Sequence, residues 1–412
     1  MLNPYFLMTL LYIFMAALMA LDASLISFNL LPWFNGVRWL RIHFITLGMM
    51  TEVLFGALPL LLAARRKLPK PTIRWDIWLL LNLGLLILLV GIPSMNQQLI
   101  FAGGTLIFIA ATLLANQLWR MAGETTTPQS QNLGQNLGQS AKFYVTGLGY
   151  LLLGIIVGTG LWLGWSGPLR IQVPLEVHIH ANNWGFLSLV FAGLIVDIIP
   201  LLSNKPLAET RSIQAIYWSM TLGALGLVMG PWLGGLLVVM VPGLLLHIIA
   251  TVWLIVLLIR GLASAGQLGK ASGWHLVSAY IWILLPVLVA PFVILKVPGF
   301  VGGDIEATAP QALIYGWVLQ FGLALIPFLL RRYFFGKSEA QLGGNWLSLL
   351  AANLGSLLVW LSIFVVPMRA DLQGAAYLIY AVALIPVALD LGRMVSHKLS
   401  ANDHEALAAA VK

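Results

Sequence analysis

The sequence predicts an all-α membrane protein of about twelve transmembrane helices, arranged as three pseudo-repeated four-helix arcs with both termini in the cytoplasm. Three observations carry the prediction: the composition, the lengths of the apolar runs, and the placement of Lys and Arg. Of 412 residues, 60% are hydrophobic and only 9% charged, with a mean hydropathy of +0.93. A soluble domain carries about a quarter of its residues as charges. A chain this apolar therefore needs lipid as its solvent. The 40 glycines and 20 prolines agree, since both are commoner in membrane helices than in soluble ones, and 16 tryptophans suit the bilayer interface.

Apolar runs of the required ~20 residues fall at about 5–33, 37–63, 75–94, 98–121, 142–168, 174–202, 211–229, 231–260, 274–297, 308–331, 344–367 and 372–393. The first is a span rather than a cleavable signal, because it lacks a basic leading region and contains Asp22. With twelve spans, 17 of the 22 basic residues collect on one side, leaving Arg38, Arg41, Arg170, Lys296 and Arg369 on the other. The positive-inside rule puts the first set in the cytoplasm, and the expected location is the cell's inner (plasma) membrane. A net charge of +8 could suggest nucleic acid in a soluble protein; here it serves orientation, and the expected partners are membrane lipids.

Two polar stretches divide the chain. Residues 122–141 carry a tandem NLGQ and little that could pack, which predicts a mobile cytoplasmic loop. Residues 263–273 form a linker of similar character. The division gives four-helix repeats at 1–121, 142–262 and 274–395, with a polar tail at 396–412. The repeats share a spacing: His43, Gly48 and Gly56 in the second span; His180, Gly185 and Gly193 in the sixth; Gln311, Gly316 and Ala324 in the tenth. Pro59, Pro200 and Pro327 lie towards the inner ends of the same spans, and FIAAT (108–112) echoes HIIAT (247–251).

Cysteine is absent, which excludes disulfides, iron–sulfur clusters, thiolate-ligated heme and covalent c-type heme attachment. Any metal must be held by histidine, carboxylate, amide or methionine. Of seven histidines, His275, His397 and His404 are expected to be solvated or interfacial, whereas His43, His178, His180 and His247 fall inside apolar runs. An ionisable side chain there is costly and needs a partner. His247 reads as a hydrogen bond to a neighbouring helix. His178 and His180 point about 200° apart on a helix, so they cannot grip one ion but can serve two cavities. One cavity could be shared with His43 at matching depth, the geometry of a bis-histidine heme. Arg38, Arg41 and Arg170 lie at the same outer face, suited to heme propionates or equally to lipid phosphates. Among the acids Asp22, Glu52, Asp197 and Asp390, Glu52 lies deepest, and reads as a protonated, hydrogen-bonded carboxyl or as a proton-relay group. Asn182, Asn183 and Trp184 could line or cap a ligand cavity. Nothing resembles a phosphate-binding loop, a zinc-protease helix or a nucleophile elbow.

The segment VHIHANNWGFLSLVFAGLIVDIIP (177–200) resembles the H-x-H-x-x-x-x-G heme helix of C-type oxidases and nitric oxide reductases, in the heme–copper oxidase subunit I superfamily. RIHFITLGMMTEVLFGALP (41–59) resembles their low-spin-heme helix, and the twelve spans in three arcs match their architecture. There is also a similarity to the NnrS-like family of twelve-span heme proteins, without its H-x-H-E opening. The resemblance implies one or two b-type hemes, with His43 and His180 on a low-spin heme and His178 facing a second heme with an open position. It further implies electron transfer or binding and reduction of a diatomic gas (nitric oxide or oxygen), and an electron donor or respiratory-complex subunits as partners. In those oxidases the H-x-H helix is the tenth; here it is the sixth, the tenth carries Gln311, and the seventh span has no histidine. The copper ligands therefore find no counterparts. The alternatives are a twelve-span secondary transporter, which would more usually repeat as two sixes, or a metal-free structural subunit of a respiratory complex.

Overall fold

A computed structural model describes residues 3–33, 36–124, 139–295, 297–337 and 341–410, without the side chains of 397–399 and 401–410. Among the described residues the secondary structure is helical throughout, with no strand. The helices are α1 Pro4–Ser27, α2 Val37–Arg66, α3 Trp75–Gly91, α4 Gln97–Gly123, α5 Gln139–Leu163, α6 Pro174–Ser203, α7 Thr210–Trp232 and α8 Leu237–Ser264, then α9 Ala271–Ile294, α10 Gly302–Phe334, α11 Trp346–Phe364 and α12 Arg369–Ala410. Each overlaps one expected apolar run, and α12 continues past its run, through the expected polar tail, to Ala410. Eleven are long and apolar enough to cross a membrane; α3, with 17 residues, is shorter. The expected mobile loop falls largely on 125–138, outside the described residues, as do Lys296 and the side chains of His397 and His404.

Local chemistry sets the helix ends. Asn3 caps α1, its side chain accepting from the Tyr5 amide at 3.1 Å, and Pro4 supplies the first turn. Asn345 and Ser348 close α11 in a reciprocal capping box. The tight α7–α8 connection turns on Gly234 and Gly235, at φ of +82° and +87°.

The chain divides into two compact units. One comprises residues 1–54, 270–283 and 301–412: α1, the start of α2, the start of α9, and α10–α12. Within it α1 packs along α12, and α11 pairs with α12. The other comprises residues 55–269 and 284–300, where α3 pairs with α4, α4 with α5 and α7 with α8. At the α7–α8 crossing a Cβ on Gly226 would lie 2.7 Å from the Gly243 Cα, so only glycine allows these backbones to approach so closely.

Burial sorts the helices into two classes. Within the most apolar 18 residues of α2, α6 and α10, 89%, 83% and 100% are buried, against 33–56% in the other eight long helices. The shorter α3 keeps an outward apolar stripe, with Leu79, Leu83, Leu86 and Val90 exposed while Ile77, Leu81, Leu85 and Leu88 are covered.

The three buried helices share a further irregularity. Each contains a π-helical turn: Phe44–Met50 in α2, Ala181–Leu187 in α6 and Ile314–Leu319 in α10. The first two begin on the residue after His43 and His180; the third follows Gln311. In α2 the Thr46 carbonyl accepts both the Thr51 backbone N–H, across the wide turn, and the Thr51 hydroxyl at 2.9 Å. Each π turn contains a glycine five residues beyond its His or Gln, against which an aromatic ring is pressed. A Cβ would meet Tyr12 at 2.7 Å on Gly48, Tyr150 at 2.3 Å on Gly185 and Trp282 at 2.6 Å on Gly316.

Candidate functional site

The α6 site is built from three helices of one unit. Pro174 starts α6, and one turn later His178 and His180 leave it on opposite sides, as their i, i+2 spacing requires. The His178 Nδ1 lies 2.8 Å from the Gly154 carbonyl on α5, and the His180 Nδ1 lies 2.6 Å from the Leu227 carbonyl on α7. A carbonyl oxygen only accepts, so Nδ1 carries the proton in both rings and Nε2 presents the lone pair. Both side chains are half-buried.

Two glycines on α5 seat His178. A Cβ on Gly158 would fall 2.5 Å from the ring's Cε1, and one on Gly154 would fall 2.4 Å from the Asn182 amide nitrogen. The ring therefore turns its Cε1–Nδ1 edge to bare backbone, with Nδ1 on the carbonyl one turn away. Asn182, half-buried, donates to the His178 carbonyl at 2.8 Å and so braces the histidine turn. Asn183 and Trp184 are buried. In the sequence Gly154 and Gly158 announce this seat only by their small-x-x-x-small spacing on an apolar helix. The Leu227 contribution is a main-chain atom, which no residue type announces.

The α2 site lies in the other unit. The His43 Nδ1 lies 2.8 Å from the Trp39 carbonyl one turn back, and the two rings stack at 4.4 Å and 15°. The same tautomer follows. Arg38 is exposed. Arg41 is buried, with its guanidinium 4.9 Å from the Tyr377 ring centre and 5.7 Å from that of Trp33, both cation–π contacts. Arg170 is exposed, in a left-handed turn at φ +52°. His43 and His180 fall in different compact units.

The other buried histidines are held differently. The His247 Nε2 lies 3.3 Å from both the Trp184 carbonyl and the Ser188 hydroxyl, and its Nδ1 lies 3.2 Å from the Thr251 hydroxyl. Its proton is thus on Nε2, and its lone pair accepts from Thr251. His275 departs from expectation. It is not interfacial but fully buried, with Nε2 2.9 Å from the Ser348 hydroxyl. The turn entering α11 covers it, since a Cβ on Gly344 would lie only 2.4 Å from its ring.

Among the acids, Asp197 sits in a buried clasp across three helices, accepting from the Arg65 Nε at 3.2 Å and from the Tyr144 hydroxyl at 2.7 Å. Glu52 is fully buried. Asp390 pairs with Arg331 at 2.8 Å. At the tenth-span position Gln311 accepts a hydrogen bond from the Tyr377 hydroxyl. Among the described residues no three His, Asp or Glu side chains converge where a bare metal ion could sit.

Comparison with protein-family models and with curated proteins returns no match.

Proposed function

We propose that this chain is a twelve-span b-type heme protein of the inner (plasma) membrane that transfers electrons, or binds and reduces a diatomic gas such as nitric oxide or oxygen. It resembles a heme–copper oxidase catalytic subunit without the usual copper ligands. The observation that carries the reading is a shared anchoring. His43, His178 and His180 each donate Nδ1–H to a main-chain carbonyl, at 2.6–2.8 Å, and so present Nε2 to a metal. Metal-binding histidines characteristically hold their second nitrogen this way, which fixes both tautomer and ring orientation. His247 carries its proton on the other nitrogen and falls outside the set.

The π turns support the same assignment. π-bulges concentrate at functional sites, and here one follows His43 directly and another follows His180. With the matching Gly48, Gly185 and Gly316, each pressed by a ring from the helix before it, they favour three repeats of four helices. In that arrangement α3 is the remaining span, and the Lys/Arg asymmetry puts both termini in the cytoplasm.

A bound heme would supply one-electron chemistry and, where one axial position stays open, a site for a gas. The chain's part is to orient the ligands and to keep water out. His43 and His180 are the pair we assign to a low-spin heme, and His178 to a second. Arg41 commits its guanidinium to Trp33 and Tyr377, which leaves Arg38 as the propionate partner on α2.

An absorption spectrum of the purified, dithionite-reduced protein tests this. A Soret band with sharp α and β bands is expected, lost in His43→Ala and His180→Ala and retained in His247→Ala. Carbon monoxide or nitric oxide binding should disappear in His178→Ala. A folded but colourless protein would sink the heme and point to a metal-free subunit.

A further inference from the structure

The α6 site depends on a wide turn that begins on the residue after His180 and ends at Leu187. We propose that His247 of α8 is a positioning residue for that site: its Nε2–H holds the turn open and so fixes the direction in which His180 presents its lone pair. The hold on the turn stands without any cofactor; the consequence for His180 rests on the heme reading.

All the groups involved lie in one compact unit, residues 55–269 and 284–300. At the end of the turn the Ser188 N–H reaches back five residues to the Asn183 carbonyl. A regular α-helix would send it to the Trp184 carbonyl, four residues back. His247 enters at this junction. Its Nε2 lies 3.3 Å from the Trp184 carbonyl and 3.3 Å from the Ser188 hydroxyl, so a side chain from α8 answers the carbonyl that Ser188 has passed over. A carbonyl only accepts, which puts the proton on Nε2. Thr251, one turn along α8, keeps it there by donating to Nδ1 at 3.2 Å. His247, Ser188 and Thr251 are all buried, so bulk water does not compete for these groups.

The turn matters because of what its closing would do. With the Ser188 N–H returned to the Trp184 carbonyl, each donor in the turn would advance by one carbonyl. The residues before it would then swing about the helix axis by roughly one residue's step, about 100°. The His180 Nδ1 would leave the Leu227 carbonyl, now 2.6 Å away. α7 and α8 together prevent this. They meet closely at Gly223, where a Cβ would lie 2.8 Å from the His247 backbone nitrogen. From that joined pair Leu227 grips the histidine, and His247 grips the turn behind it.

The three buried helices differ at this point. Eight residues beyond His43, His180 and Gln311 stand Thr51, Ser188 and Leu319. Both histidine helices therefore carry a hydroxyl where the wide turn ends, and the Gln311 helix carries an alkyl chain. In α2 the Thr51 hydroxyl bonds within its own helix, to the Thr46 carbonyl at 2.9 Å, whereas in α6 the Ser188 hydroxyl meets His247. By the echo of FIAAT in HIIAT, the α4 residue in the place of His247 is Phe108, which has no N–H to give.

The full-length protein and three variants test this. His247→Leu removes the donor, His247→Gln keeps an N–H at similar reach, and Thr251→Val frees the His247 proton to move to Nδ1. Amide hydrogen exchange, read by mass spectrometry on peptides covering residues 181–190, should be several-fold faster in His247→Leu than in wild type and near wild type in His247→Gln. Thr251→Val should fall between, and carries the comparison if His247→Leu does not fold. In the oxidised, heme-containing protein the highest g-value of the low-spin signal follows the angle between the two imidazole planes. It should move in His247→Leu and return in His247→Gln, a recovery that a mere change of packing would not give. Exchange in His247→Leu and Thr251→Val no faster than in wild type overturns the hold on the turn. No recovery in His247→Gln overturns the role of the N–H. Faster exchange with an unmoved g-value overturns the positioning of His180. A colourless wild type whose exchange still quickens in His247→Leu would sink the heme assignment, and the consequence for His180 with it, while the hold on the turn stands.

Discussion

Gly158→Ala on α5 is the sharpest test of how His178 is held. The new Cβ would lie 2.5 Å from the ring's Cε1 and 2.6 Å from its Nδ1, with Nε2 at 3.5 Å. Ordinary carbon–carbon contact needs about 3.5–4.0 Å, so the ring must retreat by roughly 1 Å. The Nδ1–Gly154 bond, now 2.8 Å, would then stretch to nearly 4 Å, well past hydrogen-bond range. The lost bond costs about 1 kcal/mol and the overpacking about 1–3 kcal/mol. Loss of such a supporting contact lowers metal affinity by about 10–100-fold. On the proposed heme assignment, titration of heme into the purified protein, read by the Soret band, should show that weakening for the site assigned to His178 while the low-spin signal stays. Gly149→Ala is the control, since a Cβ there meets nothing within 4 Å on the same helix. Equal heme affinity in the two variants, within a factor of two, would refute the seating of His178 on Gly158.

Three further changes probe the frame. Asp197→Ala strands the Arg65 guanidinium and the Tyr144 hydroxyl; it should destabilise by about 3 kcal/mol, the lower end for breaking a buried pair, because Arg65 keeps some solvent. Tyr144→Phe should cost about 1–3 kcal/mol. Denaturant unfolding in detergent reads both, and an unperturbed Asp197→Ala midpoint would refute the clasp. Gly226→Leu forces α7 from α8, because a Cβ there already lies 2.7 Å from Gly243. It should also alter any His180-dependent absorption through the adjacent Leu227 carbonyl, and a properly folded variant with an unchanged spectrum would contradict this. Gly344→Ala combines a left-handed φ of +84° with a 2.4 Å approach to His275, whereas Gly336→Ala meets only a φ of +70° in open space. The first should lower the melting temperature more than the second, and equal shifts would show that contact with His275 is unimportant.

The helices were legible in the sequence because the signal is coarse: about 20 apolar residues bounded by Gly, Pro, Asn or charge. Their ranking was not. Lipid and protein interior are equally apolar, so α3, half-exposed, and α10, fully buried, look alike in hydropathy. The same degeneracy misplaced His275. A histidine at the start of an apolar run reads as interfacial, and only Gly344 and Ser348, some seventy residues away, bury it. Arg41 likewise reads as an outer-face cation until Tyr377 arrives from the last helix.

The spacing shared by His43, His180 and Gln311 coincides with a shared local geometry. In each buried helix the glycine five residues on admits a ring from the preceding helix, so the backbone there cannot carry a side chain. The π turn at the same place then frees carbonyl groups and re-aims the residues around it. Two of the three positions use that setting to present a histidine whose Nδ1 is tied to a carbonyl. The third closes on itself, with the Gln311 oxygen taken by Tyr377 and the space beside it filled by stacked Tyr315 and Tyr380. One backbone device thus supports two chemistries. On the proposed heme assignment, replacing Gln311 by histidine alone would not add a ligand, because the Tyr377 hydroxyl would engage the ring nitrogen that faces it, as donor or acceptor.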